Sequence, residues 1–423
     1  MGGGHCDYKQ QSQAATSYSM SIEAFQAARV GASLADTVLA AVQSVLGPAE
    51  QSLPLHEPEF AGREWEYVKD CIDVGWVSSA GVYVDRFERD LAALTGAKHA
   101  VAVVNGTAAL HLALLLAGVR PGNEVIVPTL TFVATANAVS YCGAVPHFAD
   151  ASLETLALDA DKLDRHLNDI LEPGGGRKIN RLSGRPVTAV VVMHTFGHPA
   201  EIDKLMEICA RHDMPLIEDA AEALGSTWRG GHCGTFGKIG TLSFNGNKVV
   251  TTGGGGAVLT NDSEIGKRAK HLSTTAKVAH QRLYVHDEIG FNYRLPNINA
   301  ALGCAQLEQL PRFVAEKRRL AEAYAAAFSS IEGASFVHEP PDSRSNYWLN
   351  AILLAPSERL ATRDEVLERL GAANYLARPA WTLMHHLTPY ASAPRMADLS
   401  VAETIERTLI NLPSSPLLAR RLV

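Results

Sequence analysis

The chain has 423 residues, of which 47% are hydrophobic and 20% are charged, a composition typical of globular proteins and not of disordered ones. Lys and Arg total 38 against 45 Asp and Glu, and the resulting net charge of -7 argues against a protein that binds nucleic acid through a basic face. The six cysteines are scattered without a CxxC pair, so we expect neither a disulfide framework nor a structural zinc site, and we predict a cytoplasmic protein.

Residues 1–50 are predicted to form an N-terminal extension. The polar residues 1–20 predict a disordered start without a signal peptide. Over 21–46, apolar residues recur at three- to four-residue spacing, which predicts an amphipathic helix that ends at Gly47-Pro48. The apolar face of this helix must be buried. It could pack on the body of the chain, pack on another subunit, or cover the entrance to a ligand-binding site.

Two uncharged runs, at 101–119 and 125–148, are long enough to raise the question of membrane spans. The first is interrupted by Asn105-Gly106-Thr107, and the second by Pro128 and Asn137. We therefore interpret each as a buried strand, a turn and a packed helix, and we predict no membrane association.

From residue 60 to about residue 320, predicted strands and helices alternate, and residues 51–310 are assigned to one large domain. The strands are expected at 99–104, 124–128, 188–193, 215–218 and 241–245, the helices at 107–118, 131–141 and 200–212, and a loop at 172–176. Such a pattern predicts a large α/β domain whose mostly parallel sheet is covered on both faces. Ligands of such sheets bind beyond the carboxyl ends of the strands.

The pattern changes after residue 297. A long helix over 300–331, a strand at 346–354 and a short helix at 363–371 are predicted. We expect residues 311–423 to form a smaller α+β C-terminal domain.

Three features in the large domain point to chemistry. Lys248 follows an apolar strand and precedes a glycine run, and a lysine shielded from water can act as a nucleophile toward carbonyl groups. Asp219 ends a predicted strand, and Asn105-Gly106-Thr107 joins a strand to a helix whose first amides could hold a phosphate. Alone, these could be a surface lysine, a helix N-cap with Glu222 three residues later, and an ordinary turn. Together they predict a pyridoxal phosphate site without a metal.

Several motifs occur in a specific order along the chain: NGTAALHLAL, VPTLTFVATANAV, IEDAAEALGS, SFNGNK, FNYRLPNINAALG, ARPAWTLMHH and NLPSSP. Over residues 52–416 they resemble the DegT/DnrJ/EryC1/StrS family of sugar aminotransferases that depend on pyridoxal 5′-phosphate (PLP). The resemblance implies fold type I of the PLP-dependent transferases. It also implies a cofactor that passes through its pyridoxamine form during turnover.

The resemblance assigns roles to the residues around the cofactor ring. Lys248 corresponds to the lysine that binds the cofactor as a Schiff base and moves a proton to and from the substrate carbon. Asp219 corresponds to the partner of the pyridine nitrogen, and Glu222 lies where the family often has Gln or His, near the 3-oxygen of the cofactor. Phe132 corresponds to the aromatic residue that stacks on the ring, although plain core packing is the alternative.

The phosphate of the cofactor is expected at the start of the helix after Asn105. The small Gly106 lets the backbone approach, Thr107 and Ala108 would donate backbone amides, and Ser243 would add its hydroxyl. Asn292 matches an asparagine that reaches the phosphate from the neighbouring subunit, which implies a homodimer with a shared active site.

The substrates implied are L-glutamate and a nucleotide-linked keto sugar. The extra N-terminal helix and the ARPAWTLMHH motif resemble the subgroup of legionaminic-acid pathways, which aminates C4 of a 4-keto-6-deoxy-N-acetylhexosamine nucleotide. Arg294 could bind the anionic substrate or form a structural salt bridge, and Arg378 and Ser79 are candidates for the substrate diphosphate.

Four aromatic or imidazole side chains are expected to have structural roles. Trp76 and Trp381 are predicted to pack in the core. The adjacent His385 and His386 are predicted to be structural or surface residues, because neighbouring positions cannot place both rings on one helix face to bind a metal.

Three residues depart from the pattern of the family, namely Glu222, Asn245 where His is usual, and Gly254 where Glu is usual. A PLP-dependent sugar dehydratase and a non-catalytic regulator of the same fold remain alternative functions. Dehydratase relatives carry histidine in place of the lysine, so Lys248 disfavours the first alternative.

Overall fold

The computed structural model describes residues 33–174, 177–280, 282–356 and 360–422. The expected disordered start, and residues 21–32 of the predicted N-terminal helix, lie outside the described residues. The helices are α1 (Leu34–Leu46), α2 (Glu64–Asp73), α3 (Val82–Thr95), α4 (Gly106–Leu116), α5 (Val133–Tyr141), α6 (Ala160–Ile170), α7 (Ile202–Arg211), α8 (Ser263–Ser273), α9 (Asn297–Phe328), α10 (Leu360–Ala372) and α11 (Ser400–Thr408).

The strands of the first half of the chain are β1 (His99–Val103), β2 (Glu124–Pro128), β3 (Val145–Ala149), β4 (Leu171–Gly174), β5 (Arg177–Asn180), β6 (Val187–Met193), β7 (Leu216–Asp219), β8 (Thr227–Trp228) and β9 (Gly231–His232). The remaining strands are β10 (Ile239–Ser243), β11 (Gly256–Thr260), β12 (Lys277–Val278), β13 (Val285–His286), β14 (Ala334–Phe336), β15 (Ser343–Arg344), β16 (Asn350–Leu354), β17 (Arg378–Pro379) and β18 (Leu409–Leu412).

A seven-stranded sheet in the order β1-β11-β10-β7-β6-β2-β3 is the largest sheet in the described residues and lies in the region predicted as the large domain. The pairs β10–β7, β7–β6, β6–β2 and β2–β3 are parallel, whereas β11 runs antiparallel to both of its neighbours. The predicted α/β class with a mostly parallel sheet is therefore confirmed. Because β7 and β10 are parallel neighbours, their carboxyl ends at Asp219 and Ser243 lie at the same edge of the sheet.

Both faces of the central sheet are covered by apolar packing. Alternate residues of β11 point to opposite faces, so that Ala257 and Leu259 belong to one hydrophobic cluster and Val258 to another. The cluster around Val258 also holds the apolar residues of α4, a helix that is buried almost all round. Such a helix is fixed rigidly, and its N-terminus at Gly106 therefore has a defined position at the edge of the sheet.

The C-terminal part of the chain contains an antiparallel sheet in the order β14-β16-β18-β17, packed with α10 and α11. The predicted strand at 346–354 is confirmed in its second half, as β16. Its first half is not extended, because Tyr347 lies in the left-handed region at φ 47°. The expected division at residue 310 falls within α9, and the two-domain boundary stays a prediction.

Helix α1 packs on its own chain. Its apolar residues Val38, Val42 and Val45 are buried in a cluster with residues of α9 and α10. The segment that follows is hydrogen-bonded into the C-terminal part, because the Leu53 amide donates to the Asn374 carbonyl (2.8 Å) and the Leu55 carbonyl accepts from the Ser414 amide (2.8 Å). The interpretation that α1 packs on the body of the chain is thus confirmed, and α1 contributes no residue to the cavity described below.

One local prediction was wrong. Residues 172–176 were expected to form a loop, but β4 pairs with β5 in an antiparallel hairpin that includes Glu172, Pro173 and Gly174. A proline and a glycine are tolerated there because the hairpin is a separate two-stranded ribbon whose edge is open.

In the described ranges, no helix combines the length and the hydrophobicity that a bilayer span requires.

Candidate functional site

A cavity of about 330 Å³ lies at the carboxyl edge of the central sheet, between β7, β10 and the start of α4. It brings together seven of the residues that the sequence singled out: Gly106, Thr107, Phe132, Asp219, Glu222, Ser243 and Lys248. Five others, Ala108, Asn292, Arg294, Arg378 and Ser79, do not line it in this chain.

The N-terminus of α4 opens into this cavity. Asn105 caps the helix, and its side-chain oxygen accepts a hydrogen bond from the amide of Ala108 at 2.8 Å. The amide of Ala108 is therefore already used, which leaves the start of the helix at Gly106 and Thr107 as the part that faces the cavity. The expected role of Ala108 in phosphate binding is not supported by this arrangement.

Gly106 is required where the helix meets β10. A Cβ atom at this position would lie 2.9 Å from Cβ and 3.2 Å from Oγ of Ser243, closer than side chains normally approach. Glycine thus keeps the hydroxyl of Ser243 beside the first turn of α4. A hydroxyl and free amides at a helix start are the donors that a phosphate prefers.

Asp219 lies at the end of β7, and its side chain is buried. One carboxylate oxygen accepts from the hydroxyl of Thr135 at 2.8 Å, and the other accepts from the amide of Ala221 at 3.2 Å. Burial raises the pKa of the Asp219 carboxyl, while the hydrogen bond from Thr135 opposes this shift. A cationic ring nitrogen is the kind of partner that would keep such a buried carboxylate ionised.

Glu222 and Lys248 form a direct contact beside Asp219. Lys248 Nζ lies 3.1 Å from Oε1 of Glu222, and Oε2 of Glu222 accepts from the backbone amide of Phe196 at 2.9 Å. Burial raises the pKa of Glu222 to about 7, although the positive charge of Lys248 opposes the shift. The side chain of Lys248 retains 13% exposure, which leaves its amine accessible from the cavity.

Trp348 forms a wall of the site that sequence reasoning missed. The ammonium of Lys248 lies 3.9 Å from the centroid of the Trp348 ring, and the indole N–H donates to the Asn247 carbonyl at 2.7 Å. Trp348 precedes β16, far along the chain, and only the docking of the C-terminal part on the large domain brings it here. No local pattern in the sequence could have indicated this contact.

Aromatic side chains also line the outer part of the cavity. Phe132 is 51% exposed, so that its ring is available to a ligand, and plain core packing does not describe it. Trp381 packs against the hydrophobic core, as expected, and it also lines the cavity, 6.3 Å from Phe132 and 4.8 Å from Phe196 between ring centroids. Trp76 was also expected in the core and is 58% exposed in this chain.

The residues that lie away from the cavity have other partners. Arg294 lies 3.5 Å from Asp85, which is the structural ion pair considered as the alternative. Asn292 is exposed and forms a backbone bridge with Thr274, and Arg378 is exposed on β17. Ser79 lies in the connection between α2 and α3. Their expected binding roles stay predictions.

His385 and His386 occupy a single 3-10 turn, and their ring centroids lie 4.1 Å apart. The argument that neighbouring positions cannot place both rings on one helix face does not apply here, because the residues are not in an α-helix. Nδ1 of His385 lies 2.7 Å from the Thr129 hydroxyl, and Nδ1 of His386 lies 3.1 Å from a Glu406 carboxylate oxygen. The first ring is buried and the second is exposed, as structural and surface residues should be.

Two of the departures from the family pattern, Asn245 and Gly254, form local hydrogen bonds. Asn245 lines the cavity and donates from Nδ2 to Oδ1 of Asn247 at 3.0 Å. The carbonyl of Gly254 accepts from the hydroxyl of Thr252 at 2.8 Å. Neither disturbs Lys248 or Asp219.

The donor set of the cavity fits PLP. Lys248 is placed for covalent binding, Asp219 for the ring nitrogen, Phe132 for the ring face, and the start of α4 with Ser243 for the phosphate. The buried carboxylate of Asp219, whose ionised form needs a cationic partner, is the observation that favours a pyridine nitrogen over a neutral ligand.

Comparisons with known proteins point in the same direction. Residues 58–423 match the model of the DegT/DnrJ/EryC1/StrS aminotransferase family. The chain is 37% identical over 372 residues to GDP-perosamine synthase of Escherichia coli O157:H7, covering 88% of this chain and 95% of that protein. The solved aminotransferase TlmJ from Streptoalloteichus hindustanus matches with a TM-score of 0.77 at 28% identity, over 86% and 93% of the two chains. DesI, solved in the presence of its TDP-sugar product, matches with a TM-score of 0.76 at 28% identity, over 88% and 91%.

Proposed function

This chain belongs to the DegT/DnrJ/EryC1/StrS aminotransferase family, and we propose that it moves an amino group from L-glutamate to the 4-keto group of a nucleotide-linked 4-keto-6-deoxyhexose. Its cofactor is PLP, as the resemblance implied. The proposal rests on one observation. A single cavity is lined by Lys248, by the buried carboxyl groups of Asp219 and Glu222, and by the N-terminus of α4.

Each residue of the cavity has a defined task in this proposal. When bound, PLP supplies an electron sink that lets an amino group leave one carbon and enter another. Lys248 holds and moves the proton at Nζ, and its contact with the Trp348 ring orients the amine. Asp219 stabilises a positive charge on the ring nitrogen, and the hydroxyl of Thr135 fixes the orientation of that carboxylate.

The nature of the sugar is the finer part of the proposal. The E. coli relative is named for a GDP-linked amino sugar, and DesI was solved with a TDP-sugar. These names favour a nucleotide-linked sugar as the acceptor, with a GDP-sugar as the first candidate, and the 4-keto group of a 6-deoxyhexose is what the resemblance implies. The N-acetylhexosamine nucleotide of the legionaminic-acid type is the second candidate, and it rests on the extra N-terminal helix and the ARPAWTLMHH motif.

We also propose that the enzyme is a homodimer with active sites shared between subunits. Large apolar side chains on and next to α2 are exposed in the single chain, including Phe60, Trp65, Ile72 and Trp76. Exposed apolar surface of this kind is typical of an interface. Asn292 lies outside the cavity of its own chain, as a residue that serves the partner's site would.

Absorbance spectroscopy of the PLP-loaded enzyme tests the core of the proposal. We expect a band near the visible edge that shifts when L-glutamate is added, with release of 2-oxoglutarate, and we expect Lys248→Ala to lack both. A protein that holds PLP but never reacts with glutamate would instead be the non-catalytic regulator.

A panel of GDP-, UDP- and dTDP-linked 4-keto-6-deoxy sugars, with and without an N-acetyl group, identifies the acceptor. We expect an amine at C4, found by mass and NMR, with one 2-oxoglutarate formed for each sugar. Loss of a sugar hydroxyl without stoichiometric use of glutamate would indicate the dehydratase instead.

Mixing two inactive variants tests the shared site. In a heterodimer of Lys248→Ala and Asn292→Ala, one of the two sites combines an intact lysine with an intact partner asparagine. Recovery of activity on mixing supports the shared site, whereas mixing without recovery shows that Asn292 acts within its own subunit or not at all.

A further inference from the structure

Glu222 and Lys248 form a direct contact that binding of the cofactor does not by itself require. The two side chains meet at 3.1 Å, which is a direct hydrogen-bond distance, and both line the cavity. The second oxygen of Glu222 is held at 2.9 Å by the amide of Phe196, a residue in the left-handed region at φ 56°. A rigid backbone donor thus fixes the carboxyl while its other oxygen faces the amine.

Other titratable groups act on this pair through their charges or lie near it. Asp219 approaches Glu222 from β7, and its negative charge adds to the burial that raises the pKa of Glu222 to about 7. His56 and Lys317 are both buried, and burial lowers the pKa of each well below its ordinary value, with the charge of Lys248 adding to the shift at His56. These conditions keep His56 neutral, and Glu222 is the carboxyl in direct hydrogen-bond contact with the amine of Lys248.

We propose that Glu222 accepts a proton from Lys248 and so releases the neutral amine that attacks the aldehyde of PLP. This inference rests on the proposed function only in requiring that PLP binds through Lys248. A lysine ammonium has no lone pair and cannot attack a carbonyl carbon. An ordinary carboxylate is a weak proton acceptor, but burial raises the pKa of Glu222 to about 7, which makes it a stronger base, and it lies in direct hydrogen-bond contact with the amine.

The step balances in atoms and charge. The proton moves from Nζ of Lys248 to Oε1 of Glu222, which leaves a neutral amine and a neutral carboxylic acid. The lone pair of Nζ then forms a bond to the aldehyde carbon of PLP, and the aldehyde oxygen leaves as water, so that a C=N bond replaces C=O. No oxidant or reductant is required. The protonated Glu222 can afterwards donate a hydrogen bond, which removes the repulsion expected between a carboxylate and the 3-oxygen of PLP.

A simple salt bridge makes the opposite prediction. If Glu222 only stabilised the ammonium, replacing it with Gln would release the amine and speed the reaction with PLP. If Glu222 accepts the proton, the same replacement slows the reaction. The sign of the change therefore separates the two roles.

The experiment mixes PLP-free protein with PLP and follows the formation of the C=N bond by stopped-flow absorbance as a function of pH. For the native protein, we expect the rate to rise as the pH increases through about 7, because Glu222 can accept a proton only when it is ionised. For Glu222→Gln, we expect loss of this rise and a rate at least about tenfold lower above neutral pH. Glu222→Asp, which keeps the carboxylate, should recover part of the rate.

Glu264→Gln is the matched control, because Glu264 forms an exposed carboxylate–lysine pair with Lys267 at 2.8 Å, outside the cavity. It should leave the rate and its pH dependence unchanged. An unchanged or faster reaction of Glu222→Gln would overturn the inference, even if the native enzyme reacts normally with glutamate. Failure of the native enzyme to react with glutamate, with normal C=N formation, would instead count against the aminotransferase proposal alone.

Discussion

The ammonium of Lys248 lies 3.9 Å from the centroid of the Trp348 ring, so the C-terminal part of the chain contacts the reactive amine directly. The two residues are a hundred positions apart, and Trp348 also donates to the carbonyl of Asn247, next to the lysine. The lysine is therefore oriented from both its own loop and the C-terminal part.

Trp348→Phe should lower kcat/KM by about fivefold, because the smaller ring weakens a cation–π contact of about 1 kcal/mol and removes the N–H donor. Steady-state kinetics with glutamate measure the effect. Trp228→Phe is the control, since its indole N–H donates to Asp203 at 3.0 Å away from the cavity. Equal losses in both variants would show that Trp348 acts only through general stability.

Thr135→Val should lower kcat/KM by about tenfold, because it removes the hydrogen bond from Thr135 to the Asp219 carboxylate. A hydrogen bond to a charged group contributes about 1.5 kcal/mol. Loss of the hydroxyl removes a group that lowers the pKa of Asp219, so the pKa rises further and the loss should grow as the pH falls. A pH profile of kcat/KM measures this. A loss that is independent of pH would contradict the assigned role, and Asp219→Asn should lose at least about a hundredfold at every pH.

Gly106→Ala should weaken PLP retention by about tenfold, because its Cβ would lie 2.9 Å from Cβ of Ser243 and push the helix start away from the hydroxyl. The dissociation constant is measured by titrating the PLP-free protein. Gly371→Ala is the control, since nothing lies within 4 Å of its Cβ position. Equal affinities of the two variants would show that the phosphate does not bind between Gly106 and Ser243.

Lys317 makes stability depend on pH. Its Nζ donates to the carbonyls of Trp348 (3.0 Å) and Ser414, and burial lowers its pKa well below the ordinary value. Between that lowered pKa and about 10.4, the unfolded chain binds more protons than the folded one, so the free energy of unfolding rises with pH.

Denaturant unfolding of the native protein and of Lys317→Met, from about pH 6 to about pH 9, measures this dependence. At about pH 9, where deprotonation of the buried amine costs the native protein least, the variant is expected to be less stable, since two buried carbonyls lose a donor, at about 1–3 kcal/mol each. The advantage of the native protein should grow as the pH rises. An advantage that does not change over this pH range would mean that Lys317 is charged in the folded state.

Val42→Ala should lower the free energy of unfolding by about 2 kcal/mol, because Val42 is fully buried in the cluster between α1, α9 and α10. Urea unfolding provides the measurement. Gln43→Ala, at an exposed position of the same helix, should have little effect. The reaction with glutamate should be unchanged in both variants, and a loss specific to Val42→Ala would indicate that α1 supports the site.

Local patterns were sufficient for the parts of the site that lie on single strand–turn–helix units. Asn105 and Gly106 follow β1, and Asp219 ends β7, and each was predicted from its position in the local sequence. The parallel sheet then brings these separate turns to one edge. The periodicity of buried strands therefore predicted both the fold class and the general place of the site.

Contacts between distant segments could not be predicted from the sequence. Trp348 and Trp381 both have ordinary apolar surroundings in the sequence, and only the packing of the C-terminal part on the large domain makes them walls of the cavity. The amide of Ala108 was expected to bind phosphate, yet Asn105 competes for it as a helix cap. Whether the Asn105 side chain or a phosphate takes the Ala108 amide depends on side-chain geometry, which a sequence motif does not specify.

The family model begins at residue 58, whereas hydrogen bonds tie Leu53 and Leu55 to the C-terminal part and α1 covers apolar surface of α9 and α10. A protein trimmed to the shared family region would lose these strand-like contacts and leave that surface open to water. The region that matches the family model is therefore shorter than the unit that folds together, which includes α1 and the segment after it. A truncation designed from the family match alone would remove part of that folding unit.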